Sequence, residues 1–246
     1  MRKQAKNKKG FSLVEMVLAI AIIVLIGGVI AGICASISNS FISTYNIDDS
    51  LKTGHAGTLD PLATGVLILC TGKKTKEIER LQLDTKEYTA TLQLGATTPS
   101  YDMEHEVNQT YPTEHITEEL IRNVLAGFVG EIQQVPPSYS ACKIGGERAY
   151  KLKRKGEDVA LKAKTVRIDE IELIHFDPET MQMSIRVSCG KGTYIRSLAR
   201  DIGRALQSGA YLTALCRTRL GDVHIENCVT IDEFPVWLEQ QEIVKG

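Results

Sequence analysis

The residues best suited to chemistry lie in three segments. The first is Gly54-His55-Ala56-Gly57-Thr58-Leu59-Asp60-Pro61-Leu62-Ala63-Thr64-Gly65, where glycines and a proline shape a loop around one carboxylate, Asp60. Loops held this way often carry function, although Asp-Pro is also an ordinary turn start. The second is Lys86-Glu87-Tyr88-Thr89-Ala90, whose Tyr88 falls at an inward position of a strand pattern. An aromatic there is most simply a core residue. The third is Gly190-Lys-Gly-Thr-Tyr-Ile-Arg196-Ser-Leu-Ala-Arg200, a glycine-rich turn running into a helix. Free N–H groups at such a start favour an anion. Arg196, Arg200 and Arg204 recur on one stripe of that helix, as phosphate contacts or as a solvated face.

Other chemistries lack their residues. The six cysteines are scattered with no C-x-x-C, so neither a zinc ribbon nor a redox pair is available, and they read as reduced thiols. Asp102, Glu104, His105 and Glu106 read as a solvated acidic loop rather than a metal site. His224-Ile-Glu226 lacks the partner cysteines of a zinc deaminase and reads as an edge-strand pair. No phosphate-binding loop, dinucleotide fingerprint or serine elbow is present in the sequence.

Elements to position the three segments can be read from periodicity. Apolar residues at 88, 90, 92 and 94, and at 181, 183, 185 and 187, have the period of strands. Ile116, Leu120, Ile121, Val124, Leu125 and Phe128 predict a helix with Thr117 as N-cap and Gly130 as stop. Ile195, Leu198, Ala199, Ile202 and Ala205 predict another. With 246 residues, 43% apolar and 24% charged, the chain can bury one sizeable α+β core.

The order and spacing of the three segments resemble the bacterial tRNA pseudouridine synthase B (TruB) family over about residues 51–235. Leu94-Gly-Ala-Thr-Thr-Pro-Ser-Tyr-Asp102, Pro136-Pro-Ser-Tyr-Ser-Ala-Cys-Lys143 and Arg217-Thr-Arg-Leu-Gly221 also fall where that family has motifs. The resemblance implies a pseudouridine-synthase fold, with a central, mainly antiparallel sheet flanked by helices. It implies an isomerase that turns one T-loop uridine of tRNA, at tRNA position 55, into pseudouridine without metal or cofactor. By motif, Asp60 is the catalytic aspartate, Tyr88 packs on the target base and serves the proton transfer at C5, Arg196 pairs with the aspartate, and His55 contacts the T-loop. These types suit the task. Cleaving an N-glycosidic bond without water calls for an ionised carboxylate, and an arginine partner opposes the effect of burial on it. The uridine must leave its stack, and an aromatic face can hold it.

RNA binding then has a local footprint. The net charge of −1 combines five basic residues ahead of Gly10 with an excess of acids after it, so no global attraction to nucleic acid exists. From Lys143 to Arg167, however, nine basic residues face three acidic ones. In this family that region grips the RNA arm, which makes Lys143, Lys151, Lys153, Arg154 and Lys155, with Arg200, the expected contacts to the T-arm. A monomer is expected.

The N-terminal part is different. Lys8-Lys9-Gly10-Phe11-Ser12-Leu13-Val14-Glu15-Met16, followed by an apolar stretch to about Ala35, resembles the leader of type IV pilins and pseudopilins. By that resemblance cleavage follows Gly10, Phe11 becomes the methylated N-terminus and Glu15 pairs with a neighbouring subunit. The stretch is long enough to span a bilayer, so membrane association through residues 11–35 is expected. Residues 1–36 thus read as a leader and hydrophobic helix, 37–50 as a linker and 51–246 as the synthase domain. The synthase belongs in the cytoplasm, whereas the helix points to the inner membrane. The synthase family opens with a strand and a K-P-x-G-x-T/S motif that have no counterpart ahead of Gly54, so the domain is expected to lack its usual first strand. A junction between two reading frames explains the combination most simply. A pseudopilin with a structural remainder and a catalytically dead RNA-binding module are the competing readings.

Overall fold

The computed structural model describes residues 32–34, 41–43, 53–140, 142–144, 147–149 and 161–240. Its elements begin with β1 (Gly32–Cys34), β2 (Phe41–Ser43), β3 (Thr53–Ala56), β4 (Ala63–Gly65) and β5 (Ile68–Thr71). A 3₁₀ turn leads into α1 (Ile78–Leu83), then β6 (Lys86–Leu94), β7 (Ala96–Thr97), β8 (Gln109–Thr110), α2 (Glu118–Ala126) and β9 (Gly130–Gln134). A small hairpin, β10 (Lys143–Ile144) and β11 (Glu147–Arg148), precedes the long β12 (Lys164–Asp177) and β13 (Gln182–Cys189). The chain continues through α3 (Ile195–Ala205), β14 (Ala210–Leu220), β15 (Val223–His224), β16 (Val229–Thr230) and α4 (Phe234–Glu239).

The central sheet has the order β15-β14-β6-β13-β12-β9, all antiparallel, with β4 lying parallel beside β14. β6 occupies the middle because its alternation is strict: Tyr88, Ala90, Leu92 and Leu94 all point to the buried face. That face is covered by α2, through Ile121 and Leu125, and by α3, through Ile195, Leu198, Ala199 and Ile202. Each fully buried Leu or Ile contributes about 1.5–3 kcal/mol, so these two helices fix the sheet's inner side. The other face is polar. There Arg186 of β13 meets Glu87 of β6 and Glu170 and Glu172 of β12, at 2.8–3.3 Å. Being solvent-accessible, these pairs set register more than stability. A second, smaller core of Ala56, Val66, Ile68, Cys70, Leu81 and Leu220 joins β3, β5 and α1 to the end of β14.

Thr117 is the N-cap of α2, its hydroxyl accepting the Leu120 N–H at 3.2 Å. The helix ends at Ala126 with Gly127 as its C-cap, three residues before the expected stop; Gly130, at φ +103°, instead opens β9. Met181 lies in the turn before β13 with φ +53° and is not part of the strand.

The N-terminal expectations change in part. The end of the apolar stretch, read as helix to Ala35, is a strand at Gly32–Cys34 paired with Phe41–Ser43 inside the expected linker. Gly27, Gly28 and Gly32 disfavour helix by about 1 kcal/mol each, and β-branched neighbours favour strand. β2 also pairs with β16, in a sheet separate from the central one. Among the described residues no strand ahead of Thr53 joins the central sheet, and no helix is long and apolar enough to cross a membrane. Gly10, Phe11 and Glu15, with the rest of the leader, lie outside the described residues.

Candidate active site

Asp60 is presented by a turn. Its carbonyl accepts the Ala63 N–H at 2.9 Å, with Pro61 supplying the fixed φ of the second turn position. β4 follows at once and lies along Leu215–Arg217 of β14, which anchors the loop to the central sheet. Gly65 makes this close approach possible: at φ +98°, a side chain there would run into the Arg217 carbonyl. Val66 N–H then bonds that same carbonyl at 2.8 Å.

Arg196 arrives from the first turn of α3. The N–H of Tyr194, just ahead of the helix, donates to the Gln134 side-chain carbonyl at 2.8 Å, and Ser197 Oγ donates to Val135 O at 2.8 Å. So placed, the guanidinium forms a fork with Asp60, Nε to Oδ2 at 2.8 Å and Nη2 to Oδ1 at 2.7 Å. Two planar groups meeting in this way fix each other's orientation as well as their distance. Arg196 is almost fully buried, whereas the Asp60 side chain is one-third exposed, so its carboxylate faces a cleft. Nη2 also donates to Tyr139 O at 3.1 Å, and Nη1 lies 3.4 Å from Asp102 Oδ2.

The cleft has a volume of about 560 Å³, and its lining includes Asp60, Lys86, Tyr88, Lys191, Tyr194 and Arg217. That is room for one nucleotide-sized group. Tyr88 sits opposite Arg217 on β14, so both face the same side of the sheet. Burial pushes the Tyr88 phenol above its ordinary range, with Arg217 opposing in part. The ring therefore holds its proton at neutral pH and offers a neutral face and hydroxyl.

The segments separated in sequence are thus brought together at Asp60, Tyr88 and Arg196. His55 is exposed on β3, paired with Leu69, outside the cleft lining. Arg200 is buried one turn below Arg196, donating to Val135 O at 3.0 Å and to Asp201, with Tyr101 against its guanidinium; only Arg204 of the stripe is exposed. The stripe is therefore not a continuous solvated face. Lys143 lies in the β10–β11 hairpin, paired with Arg148, while Lys151, Lys153, Arg154 and Lys155 lie outside the described residues.

Asp102 is a correction. Read as part of a solvated loop, it is buried and accepts bonds from Ser100 Oγ and Glu104 N–H while facing Arg196. Sequence reasoning also gave no role to Lys86 and Arg217. The legible signal was that Lys86 shares the inward parity of Tyr88, a polar residue where the pattern demands an apolar one. His224 does lie in the short edge strand β15, with Glu226 in the turn that follows. Among the described residues no cluster of metal-ligating side chains occurs.

A mainly antiparallel sheet covered by helices on one face is the fold expected of a pseudouridine synthase, and here its cleft holds the carboxylate–arginine fork and the buried tyrosine. Residues 44–195 match the TruB family pseudouridylate synthase N-terminal domain, and 196–244 the tRNA pseudouridylate synthase B C-terminal domain. This chain belongs to the TruB family of pseudouridylate synthases. The tRNA pseudouridine synthase B of Phocaeicola vulgatus is 66% identical over 194 residues, covering 78% of this chain and 81% of that one. That of Bacteroides fragilis is 64% identical, covering 78% and 82%. A Cbf5–Nop10–Gar1 complex contains a similar chain at 30% identity and TM-score 0.52, covering 76% of this chain. An H/ACA RNP bound to a substrate RNA containing 2′-deoxyuridine contains another, at 27% identity and TM-score 0.53, covering 79%. This chain spans about half the length of those two, 47% and 49%. Residues 5–35 match the prokaryotic N-terminal methylation motif.

Proposed function

We propose that the chain isomerises a T-loop uridine of tRNA to pseudouridine, with Asp60 as the catalytic carboxylate. The Asp60–Arg196 fork at the mouth of the Tyr88 cleft carries this reading. The reaction breaks the N1–C1′ bond, turns the base, forms C5–C1′ and moves the C5 proton, so no atom is gained or lost. Asp60 offers an electron pair to the nucleotide, and Arg196 holds both oxygens so that it acts from one position. The neutral Tyr88 ring stacks on the extruded base and keeps it within reach while detached. Relatives named tRNA pseudouridine synthase B support tRNA as substrate. The basic segment, including Lys143, Lys151, Lys153, Arg154 and Lys155, supplies sequence-independent contacts to the T-arm. Asp60→Asn in the intact chain should lower pseudouridine formation on a T-arm hairpin about a thousandfold or more while leaving RNA binding nearly unchanged. Turnover persisting in that variant refutes the assignment.

The N-terminal motif match supports a second reading, that Gly10–Phe11 is a processing junction and residues 11–35 associate with membrane. Mass spectrometry of the purified chain's N-terminus tests it: a methylated Phe11 start supports processing, and an intact Met1 overturns it.

A further inference from the structure

Lys86 and Arg217 are buried cations that form no ion pair with a carboxylate among the described residues. Lys86 Nζ donates to two main-chain carbonyls, Gln82 O at 2.9 Å and Asp84 O at 2.6 Å. Arg217, 1% exposed, likewise donates to Val66 O at 2.6 Å and Gly57 O at 3.1 Å. Asp60 is held by Arg196; Asp84 acts on Lys86 only at longer range, and Arg217 also bonds the Tyr88 hydroxyl, which is neutral. Carbonyl dipoles satisfy the donors but cannot neutralise two buried charges. The two side chains also converge. A Cβ placed on Gly57, which has φ +84°, would lie 3.3 Å from Arg217 Nη1 and 3.9 Å from Lys86 Cε. The absence of a side chain there leaves a small cradle between them, opening on the Asp60 cleft. Burial first, and then Arg217, push the Lys86 ammonium below its ordinary range; Cys189 and Asp84 oppose this in part, and Lys191 on the cleft wall adds to it. Three cations thus border one end of the cleft.

We infer that Lys86, Arg217 and Lys191 form a phosphate subsite that holds a backbone phosphate of the extruded nucleotide against the Gly57 backbone. The inference rests on the reading that the cleft takes an RNA nucleotide. It gives the cleft a second point of attachment, so that Asp60 meets the ribose from a fixed direction. A base can then detach and turn while its sugar stays in place.

The test measures binding of T-arm hairpins to the full chain carrying Asp60→Asn, so that no turnover intervenes. Neutral methylphosphonate replaces the phosphate on the 5′ or the 3′ side of the target uridine. At one of the two positions the neutral linkage should weaken binding about tenfold, the scale of a charge-assisted contact. Lys191→Ala should cost a similar factor with natural RNA and no further loss with that neutral RNA. Lys86→Met should behave alike and Lys86→Arg should restore binding; Lys191, being exposed, keeps the test valid if Lys86→Met fails to fold. Additive losses, or no loss at either linkage, overturn the subsite. Coupling that persists where the native chain makes no pseudouridine supports the subsite and removes the isomerase reading instead.

Discussion

Asp102 and Arg196 face each other at 3.4 Å, both almost completely buried, on the side of the guanidinium away from the Asp60 fork. Arg196 thus stands between two carboxylates, one open to the cleft and one sealed behind it. The rear carboxylate is itself fixed by Ser100 Oγ and Glu104 N–H, and so holds that end of the guanidinium.

Asp102→Ala leaves the buried end of Arg196 without its charge partner and should destabilise the fold by about 3 kcal/mol. Denaturant unfolding of both proteins measures this. Asp102→Asn keeps the shape and should cost less stability than Asp102→Ala while still lowering kcat. If both variants match the parent in stability and rate, the rear contact holds nothing in place.

Tyr88 gives a pH signature. Its folded pKa is raised, chiefly by burial, so the folded chain keeps the phenol proton longer than the unfolded chain does. This contribution is present in full below about pH 10 and is lost as pH rises through the folded value. Unfolding midpoints measured from neutral to strongly alkaline pH should therefore fall more steeply for the parent than for Tyr88→Phe. Parallel profiles would show that the ring is not buried as described.

Gly65→Ala combines a positive φ with a collision against the Arg217 carbonyl. A loss of about 2–3 kcal/mol is expected, together with loss of activity, because the same contact anchors the Asp60 turn. Thermal unfolding and single-turnover assays should move together in this variant.

Replacing Lys151, Lys153, Arg154 and Lys155 by alanine should weaken T-arm binding and flatten its dependence on salt. Each lost phosphate contact removes about one unit from the logarithmic slope. Titrations at several salt concentrations decide whether the segment grips RNA or only faces solvent.

Much of the fold was legible because periodicity reports burial. The alternation across Tyr88–Leu94 and the helical spacing after Thr117 each name one face, and one face is all that a sheet covered on one side requires. The Asp60, Tyr88 and Arg196 motifs were legible too, since each is local. What the sequence alone determined was therefore the identity of the parts and the side on which each is buried. Their meeting was decided by tertiary structure: Arg196 reaches Asp60 across 136 positions only because β4 lies along β14 and α3 packs over the same sheet. The environments of Asp102, Lys86 and Arg217 were decided at that level as well. In sequence they are charged residues like many others, and whether a charge is solvated, paired or buried alone depends on chain segments that arrive from far away. The N-terminal stretch shows the same limit from the other side. Its length and hydropathy read as an apolar helix, yet Gly32–Cys34 is a strand paired with Phe41–Ser43; glycines and β-branched residues permit that strand, but which segment it pairs with is not written in composition.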